Sequence, residues 1–287
     1  MPELPEVETI KRNLAPRILG KTISNVIVFS KKNFIGEKSD IINTRIQQVS
    51  RYGKVLVFKL INSLIRSQEN IKYLNIHFKL TGQMLYAINK DDAVFENEIP
   101  FTKGNKMPAN TTRIIINFDD NSALFFNDLR KFGWIKVSDQ PLKPKGVDVL
   151  DKEFTVKYLA VILNKTRRPI KVLLMDQDLI TGIGNIYTND SLFLARIHPL
   201  RSSNSLNSNE IAKLHRCIIH EISKGINDQG SSGADEAFIL PDGSRGGHQR
   251  NFLVYQREDE LCLNCKTIIK RIKHNGRSSF FCPTCQK

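Results

Sequence analysis

The sequence predicts an α+β protein: one helix, a β-rich N-terminal part, a helical C-terminal part and a metal-pinned terminal hairpin. Three observations carry this. Strand-like runs crowd residues 23–137. Apolar spacing turns helical beyond residue 153. The last 26 residues hold Cys262, Cys265, Cys282 and Cys285 in a C-x2-C-x16-C-x2-C pattern.

Residues 4–18 read as the first helix. Pro5 suits its start, Glu6 and Glu8 complement the positive helix end, and Val7, Ile10, Leu14 and Ile18 form one apolar stripe. Pro16 predicts a kink, or an end just before it. The strand-like runs are Ile23–Phe29, Val55–Leu60, Tyr73–Phe78, Gln83–Ile88, Arg113–Phe118, Ala123–Phe126 and Trp134–Val137, with turn chemistry at Asp119-Asp120-Asn121-Ser122. Strands this dense imply a β-sandwich or barrel-like unit with a flanking helix over residues 1–140. Pro141, Pro144 and Gly146 mark a linker over 141–152. Helices are expected at Glu153–Leu163, Ile170–Asp176 and Ile186–Ala195. Asn207 with Glu210 forms a capping-box-like start for the stripe Ile211, Leu214, Ile218 and Ile222. The domain over 153–251 contains a glycine-rich loop near 229–250, a length that points to function or disorder. Residues 252–287 form the terminal hairpin.

The chain carries 43 Lys+Arg against 29 Asp+Glu, a net charge of +14. That balance implies a polyanionic partner, nucleic acid first. No run is apolar and long enough to span a membrane, and the charged N-terminus does not read as a signal peptide, so a cytoplasmic protein is expected. Two CxxC pairs supply the four soft ligands of one closed structural Zn2+ site. The alternative, two disulfides, fits poorly with five cysteines and no export signal. Lys266, Lys270, Arg271, Lys273, Arg277 and Lys287, with Phe280 and Phe281, make the hairpin suited to gripping a phosphate backbone. Cys217 is expected to be a small buried hydrophobe. Beyond the cysteines there is no cluster of carboxylates or histidines to support a metal-dependent nuclease.

The N-terminus reads Met-Pro-Glu. Removal of Met1 leaves Pro2 with a free secondary amine. An α-amine titrates near ~8 against ~10.4 for lysine, so its nucleophilic fraction at neutral pH is roughly a few hundredfold larger. A secondary amine condenses with a carbonyl-like carbon to a cationic iminium, an electron sink for elimination. Glu3 stands beside it as a proton donor or acceptor. The plain alternative is that Met-Pro-Glu only starts a helix.

MPELPEVETI resembles the opening of the formamidopyrimidine-DNA glycosylase family, which removes oxidised purines from DNA. The resemblance continues in order along the chain: Arg51-Tyr52-Gly53-Lys54, Asp128-Leu129-Arg130-Lys131-Phe132-Gly133, Ile170-Lys171, Asp176-Gln177 through Gly182-Ile183-Gly184-Asn185-Ile186-Tyr187, and Gly276-Arg277-Ser278-Ser279-Phe280. It implies a β-sandwich, a helix–two-turns–helix domain and a zinc-finger β-hairpin. It also implies base excision and strand cleavage by β,δ-elimination through a Schiff base. Pro2 is then the nucleophile, Glu3 the general acid, Lys54 a proton donor, Arg277 an aid to δ-elimination, and Glu6 a supporting carboxylate. His77, Leu80, Arg130, Phe132, Arg167, Lys171 and Asn185 become DNA contacts. The 229–250 loop corresponds to the one that closes over the flipped base. The implied partner is damaged double-stranded DNA, met by a monomer.

The chain departs from the family pattern in three places. Where the family's void-filling segment reads His-Leu-Gly-Met, this chain has His77-Phe78-Lys79-Leu80; Thr111 replaces an expected histidine and Asp190 a glutamate. Two alternative functions stay open. An endonuclease VIII-like oxidised-pyrimidine glycosylase would open Pro-Glu-Gly-Pro-Glu, against Leu4 here. A non-catalytic zinc-finger DNA-binding protein would not need the Pro2–Glu3 pair.

Overall fold

The computed structural model describes residues 2–62, 71–233 and 238–287. Met1 and part of the expected 229–250 loop, 234–237, lie outside the described residues. Helix α1 spans Leu4–Ile18 and opens on a capping box between Glu3 and Glu6. Val7, Ile10, Leu14 and Ile18 are fully buried, each contributing about 1.5–3 kcal/mol. The helix runs through Pro16 without stopping there. Pro16 falls on the exposed side of the last turn, where the carbonyl it leaves unpaired meets water.

Strands follow as β1 (Ile23–Val28), β2 (Phe34–Ile35), β3 (Thr44–Tyr52), β4 (Val55–Asn62), β5 (Ile71–His77), β6 (Gly82–Ala87), β7 (Ala93–Ile99), β8 (Gly104–Met107), β9 (Thr112–Phe118), β10 (Ala123–Asp128) and β11 (Trp134–Ser138). One sheet has the order β1-β9-β10-β6, the other β2-β11-β5-β4-β3. Their facing apolar residues share one core with α1, which makes this a sandwich. Strand β3 was not anticipated: Thr-Arg-Ile-Gln-Gln-Val-Ser-Arg-Tyr is polar because it lies at a sheet edge and carries a bulge between Ile46 and Gln48. The β7–β8 hairpin covers a second, smaller core, with Phe95, Ile99 and Met107 against Leu85, Ile115 and Phe125.

The chain packs as two units. Residues up to Lys143 join Asp228–Gly247; Pro144–Asn227 join His248–Lys287. The sequence grouped 228–247 with the helices that precede it. In the structure Phe238 and Leu240 enter the sandwich core and Ile239 enters the core under the hairpin. Burial of these three side chains, not adjacency in sequence, assigns the segment to the β unit.

The second unit holds α2 (Val156–Asn164), α3 (Ile170–Leu174), α4 (Asn185–Ala195) and α5 (Ser208–Asn227). Short strands β12 (Val147–Asp148) and β13 (Ile180–Thr181) pair in parallel, and β14 (Lys270–His274) with β15 (Arg277–Phe281) forms the terminal hairpin. Helix α3, two turns and α4 form the helix–two-turns–helix. Asn207 and Glu210 exchange backbone-to-side-chain bonds of 2.9 and 3.0 Å at the start of α5. Two expectations are corrected. Phe280 and Phe281 are buried; Phe280 packs with Phe193, Val254, Ile269 and the cysteines and so presents no ring to a backbone. Cys217 is half-buried, because it borders the apolar stripe of α5 without belonging to it.

Candidate active site and nucleic-acid interface

In the β unit, Pro2, Glu3 and Glu6 are buried at the start of α1. Glu6 works in two directions. Its Oε2 accepts the Glu3 amide at 2.8 Å and its Oε1 accepts the Ser231 amide at 2.9 Å. The segment bearing Ser231 is closed at its base, where Ser232 Oγ donates to the Phe238 carbonyl at 2.7 Å and accepts the Gly246 amide at 2.9 Å. The N-terminal residues are therefore held from the helix and from a segment over 220 positions away in sequence. Ser231 carries no local signal that would have exposed this role.

Lys54 is buried, in the two-residue turn between β3 and β4. Gly53 supplies the positive φ (+58°) at the first turn position, as a tight hairpin demands. A solvated strand-end lysine, the ordinary fate of such a residue, is not what the chain builds. Arg51 donates to the Gly53 carbonyl at 2.7 Å and to Glu8 at 3.1 Å, fixing the turn to α1.

His77 lies opposite Val55, with its ring 5.6 Å from that of Trp134. Its Nδ1 accepts the Lys79 amide at 3.0 Å. Burial, then the charges of Lys79 and Lys54, push its pKa down to about 3. At neutral pH this imidazole is uncharged, so with Nδ1 accepting it has only a neutral donor to offer. Lys79 has φ +52°, the left-handed region that favours the glycine of the family pattern. Leu80 is half-buried; Arg130 and Phe132 are exposed, Phe132 by 46%. Arg130 and Lys32 both lie over the Phe132 ring, 5.1 and 5.3 Å from its centroid. Lys32 was not picked out by sequence. Thr111 is buried, and its carbonyl accepts the Asp128 amide at 2.9 Å.

In the helical unit, Lys171 is buried and donates to the Ser278 carbonyl at 2.6 Å and to Ser279 Oγ at 2.9 Å. It lines a cavity of about 310 Å³ with Arg168, Val172, Met175, Asp176, His274, Asn275 and Arg277. Three cations face one carboxylate there, and Asp176 is paired with Arg168 at 2.8 Å. The balance suits a phosphate. Arg167 is exposed and outside this lining; its neighbour Arg168 takes the place. Asn185 is the first residue of α4. Gln177 braces the turn before it, accepting the Gly182 amide at 3.1 Å and donating to the Ile183 carbonyl at 2.8 Å. Asn189 accepts the Phe280 amide at 2.8 Å, tying α4 to the hairpin. Asp190, fully buried, accepts the amides of Leu253, Val254 and Tyr255 at 3.0 Å each. Burial pushes its pKa up against those three bonds.

The four hairpin cysteines form no disulfide, and their Sγ atoms all lie within 4.8 Å of one another. Sulfurs held at ~2.3 Å from one tetrahedral zinc stand about 3.8 Å apart; the approaches here are 3.4 to 3.9 Å. The donor set fits one structural zinc and removes the disulfide alternative. No helix among the described residues is long and apolar enough to cross a membrane.

Comparison with known proteins agrees with this layout. Residues 1–135 match the formamidopyrimidine-DNA glycosylase N-terminal domain, 145–236 its H2TH domain, and 259–287 a zinc finger found in FPG and IleRS. Formamidopyrimidine-DNA glycosylases of Pelotomaculum thermopropionicum and Chloroflexus aurantiacus are 35% and 36% identical, with 100% of this chain and 99% and 98% of theirs aligned. The MutM (Fpg) protein of Thermus thermophilus superposes with a TM-score of 0.83 at 30% identity, over 99% of this chain and 98% of that one. A Lactococcus lactis Fpg variant solved with Fapy-dG-containing DNA gives 0.81 at 29%, over the whole of both chains. With every domain matched in order and the full length aligned, this chain belongs to the formamidopyrimidine-DNA glycosylase family.

Proposed function

We propose that the protein is a bifunctional DNA glycosylase and abasic-site lyase that excises oxidised purines from duplex DNA, acting in base excision repair as a cytoplasmic monomer. The observation that carries this reading is the buried Pro2–Glu3 start, fixed by Glu6 and accompanied in the same unit by the buried Lys54. The relatives' shared name and the Lactococcus complex support damaged DNA as substrate.

Once Met1 is removed, the lone pair of Pro2 attacks C1′ of the damaged nucleoside. The glycosidic bond breaks and its electron pair leaves with the base, which Glu3 protonates. The Pro2 nitrogen loses its proton, the C1′–O4′ bond opens, and O4′ takes up a proton, leaving an iminium between Pro2 and C1′. Loss of a C2′ proton then expels the 3′ phosphate, with Lys54 as proton donor. A second elimination, with loss of the C4′ proton, expels the 5′ phosphate, assisted by the charge of Arg277, and water then hydrolyses the iminium to free Pro2. Arg130 and Phe132 meet the orphaned base and the opened stack, Leu80 fills the gap, and His77, Arg167, Lys171 and Asn185 contact the backbone. Zinc supplies fold, not chemistry: it holds the hairpin that presents Arg277.

The test is borohydride trapping on a duplex with one 8-oxoguanine opposite cytosine. A lesion-dependent covalent adduct is expected, and Pro2→Gly loses most of it. An adduct only with an oxidised pyrimidine would move the substrate class. Salt-sensitive binding with no adduct on either duplex or on abasic DNA would replace the enzyme with a binding protein.

A further inference from the structure

Of three connections between the two sheets at one end of the β unit, two run between paired strands. Turn 78–81 leads from β5 in one sheet to β6 in the other; loop 129–133 leads from β10 back to β11. Strand β6 pairs with β10 and β5 with β11, so Gly82 lies opposite Asp128 and His77 opposite Trp134. The two connections must therefore lie side by side.

Asp128, fully buried, sits between them. Its Oδ1 accepts the Thr81 hydroxyl from the first connection and the Arg130 amide, at 3.2 Å, from the second. Its Oδ2 accepts the Gly133 amide at 2.7 Å. The Thr81 hydroxyl in turn accepts the Arg130 amide at 3.0 Å. From outside, Asn33 donates to the Gly133 carbonyl at 2.6 Å and Arg113 to the Asp128 carbonyl at 2.8 Å. A carboxylate without contact to water is stable only where hydrogen-bond donors replace its hydration. Here those donors come from the two connections, so the buried charge holds both in place while Arg130, Lys131 and Phe132 project into solvent.

We propose that Asp128 is a positioning residue that clamps turn 78–81 and loop 129–133 into one two-pronged wedge, so that Leu80 and the Arg130–Phe132 tip engage duplex DNA as a unit. This rests on the reading of those residues as DNA-entering groups given above.

Asp128→Asn keeps the shape but turns one acceptor into a donor. Facing Gly133, its amide nitrogen leaves that backbone donor without a partner; facing Arg130, it reverses the Thr81 bond and leaves the Arg130 amide the Thr81 hydroxyl alone. On a duplex carrying the lesion, kcat/KM is expected to fall about tenfold or more. On a single-stranded abasic oligonucleotide, which has no stack to wedge, β-elimination should be unchanged. In the Arg130→Ala background the substitution should add little, because both act through one tip. Thr81→Val, which removes both bonds that tie turn 78–81 to Asp128 and to Arg130 and leaves the Asp128 bonds to loop 129–133, should lower the same ratio. An independent readout is the fluorescence of 2-aminopurine opposite an abasic-site analogue in a duplex, at saturating protein. The native chain should raise it and Asp128→Asn should not. Equal losses on duplex and single strand would reduce Asp128 to a general structural residue, and unchanged duplex activity and fluorescence would show the clamp to be dispensable. If the native chain turned over neither DNA, the enzymatic reading would fail, while the fluorescence would still decide the wedge.

Discussion

Glu8 and Arg51 meet at 3.1 Å with their side chains only 6% and 7% exposed. Arg51 reaches on to the Gly53 carbonyl, beside Lys54, while Glu8 lies in the first turns of the helix that follows Pro2 and Glu3. One ion pair thus fixes the proposed nucleophile and the proposed proton donor against each other.

Removing Arg51 should separate the two chemical steps. Arg51→Met leaves Glu8 with Lys11 and Arg12, so the cost should lie at or below the ~3–5 kcal/mol of a broken buried pair. In the proposed mechanism base departure needs only Pro2 and Glu3 and should persist, whereas strand cleavage slows as Lys54 loses its position. Product analysis with and without alkali, which cleaves uncut abasic sites, should show excised but uncut strands. Arg51→Lys should not restore cleavage, because one ammonium cannot span both acceptors.

The neutral His77 predicts an acid limb in stability. Its pKa is about 3 in the folded protein, against ~6.5 in the unfolded chain. The unfolded chain therefore binds the extra proton first as pH drops, and stability is full above ~6.5 and lost progressively from there toward ~3. Urea unfolding of the native chain and of His77→Gln should diverge across that window, with the variant flatter. Lys79→Gly relieves a left-handed lysine and should stabilise by about 1 kcal/mol at neutral pH. It also removes one of the charges that depress His77, so the imidazole should titrate higher by NMR.

Gly230 has φ +78°, and a Cβ there would stand 3.0 Å from Glu6 Cγ and 2.9 Å from Phe238. Gly230→Ala therefore strains the backbone and displaces the carboxylate that holds Glu3. A misplacement of this kind costs up to ~100-fold in rate, and the loss should appear in base excision more than in binding of an abasic duplex. Single-turnover excision beside a binding titration decides this; parallel losses would mean that the segment merely misfolds.

Much of this architecture was legible because it is written in local patterns. The α1 stripe, the Asn207–Glu210 box and the cysteine spacing each lie within a few turns or one hairpin, where spacing carries most of the reading. Strand β3 was missed because an edge strand keeps its polar residues, and the β7–β8 hairpin because its apolar residues serve a separate small core. Residue types named Pro2, Glu3 and Lys54, but not what holds them. Ser231 on Glu6, Asp128 between two connections and Arg51 on Glu8 are contacts across tens to hundreds of positions, made by ordinary polar residues. Lys32 and Arg168 stood out no more than other cations in a chain that has 43 of them.

The cationic cavity of the helical unit is built from two separately supported parts. Arg277 and His274 flank the β14–β15 turn, and the hairpin is held by the cysteine cluster and by Phe280 packed beneath it. Lys171 and Arg168 stand on and beside α3, which owes nothing to zinc directly. If the cavity binds phosphate, each cation contributes about 0.9 to the slope of log affinity against log salt per phosphate neutralised. Arg277→Gln and Lys171→Gln should each lower that slope by up to this amount, equally for lesion and undamaged duplex, since phosphate contacts carry no base information. Chelation of zinc, or Cys265→Ser, frees the hairpin and should reproduce the Arg277→Gln slope or exceed it. Salt titrations by fluorescence anisotropy measure all four cases. An unchanged slope in Lys171→Gln would assign that lysine to tethering the hairpin through Ser278 and Ser279 alone, and its effect would then appear in hairpin stability rather than in DNA affinity.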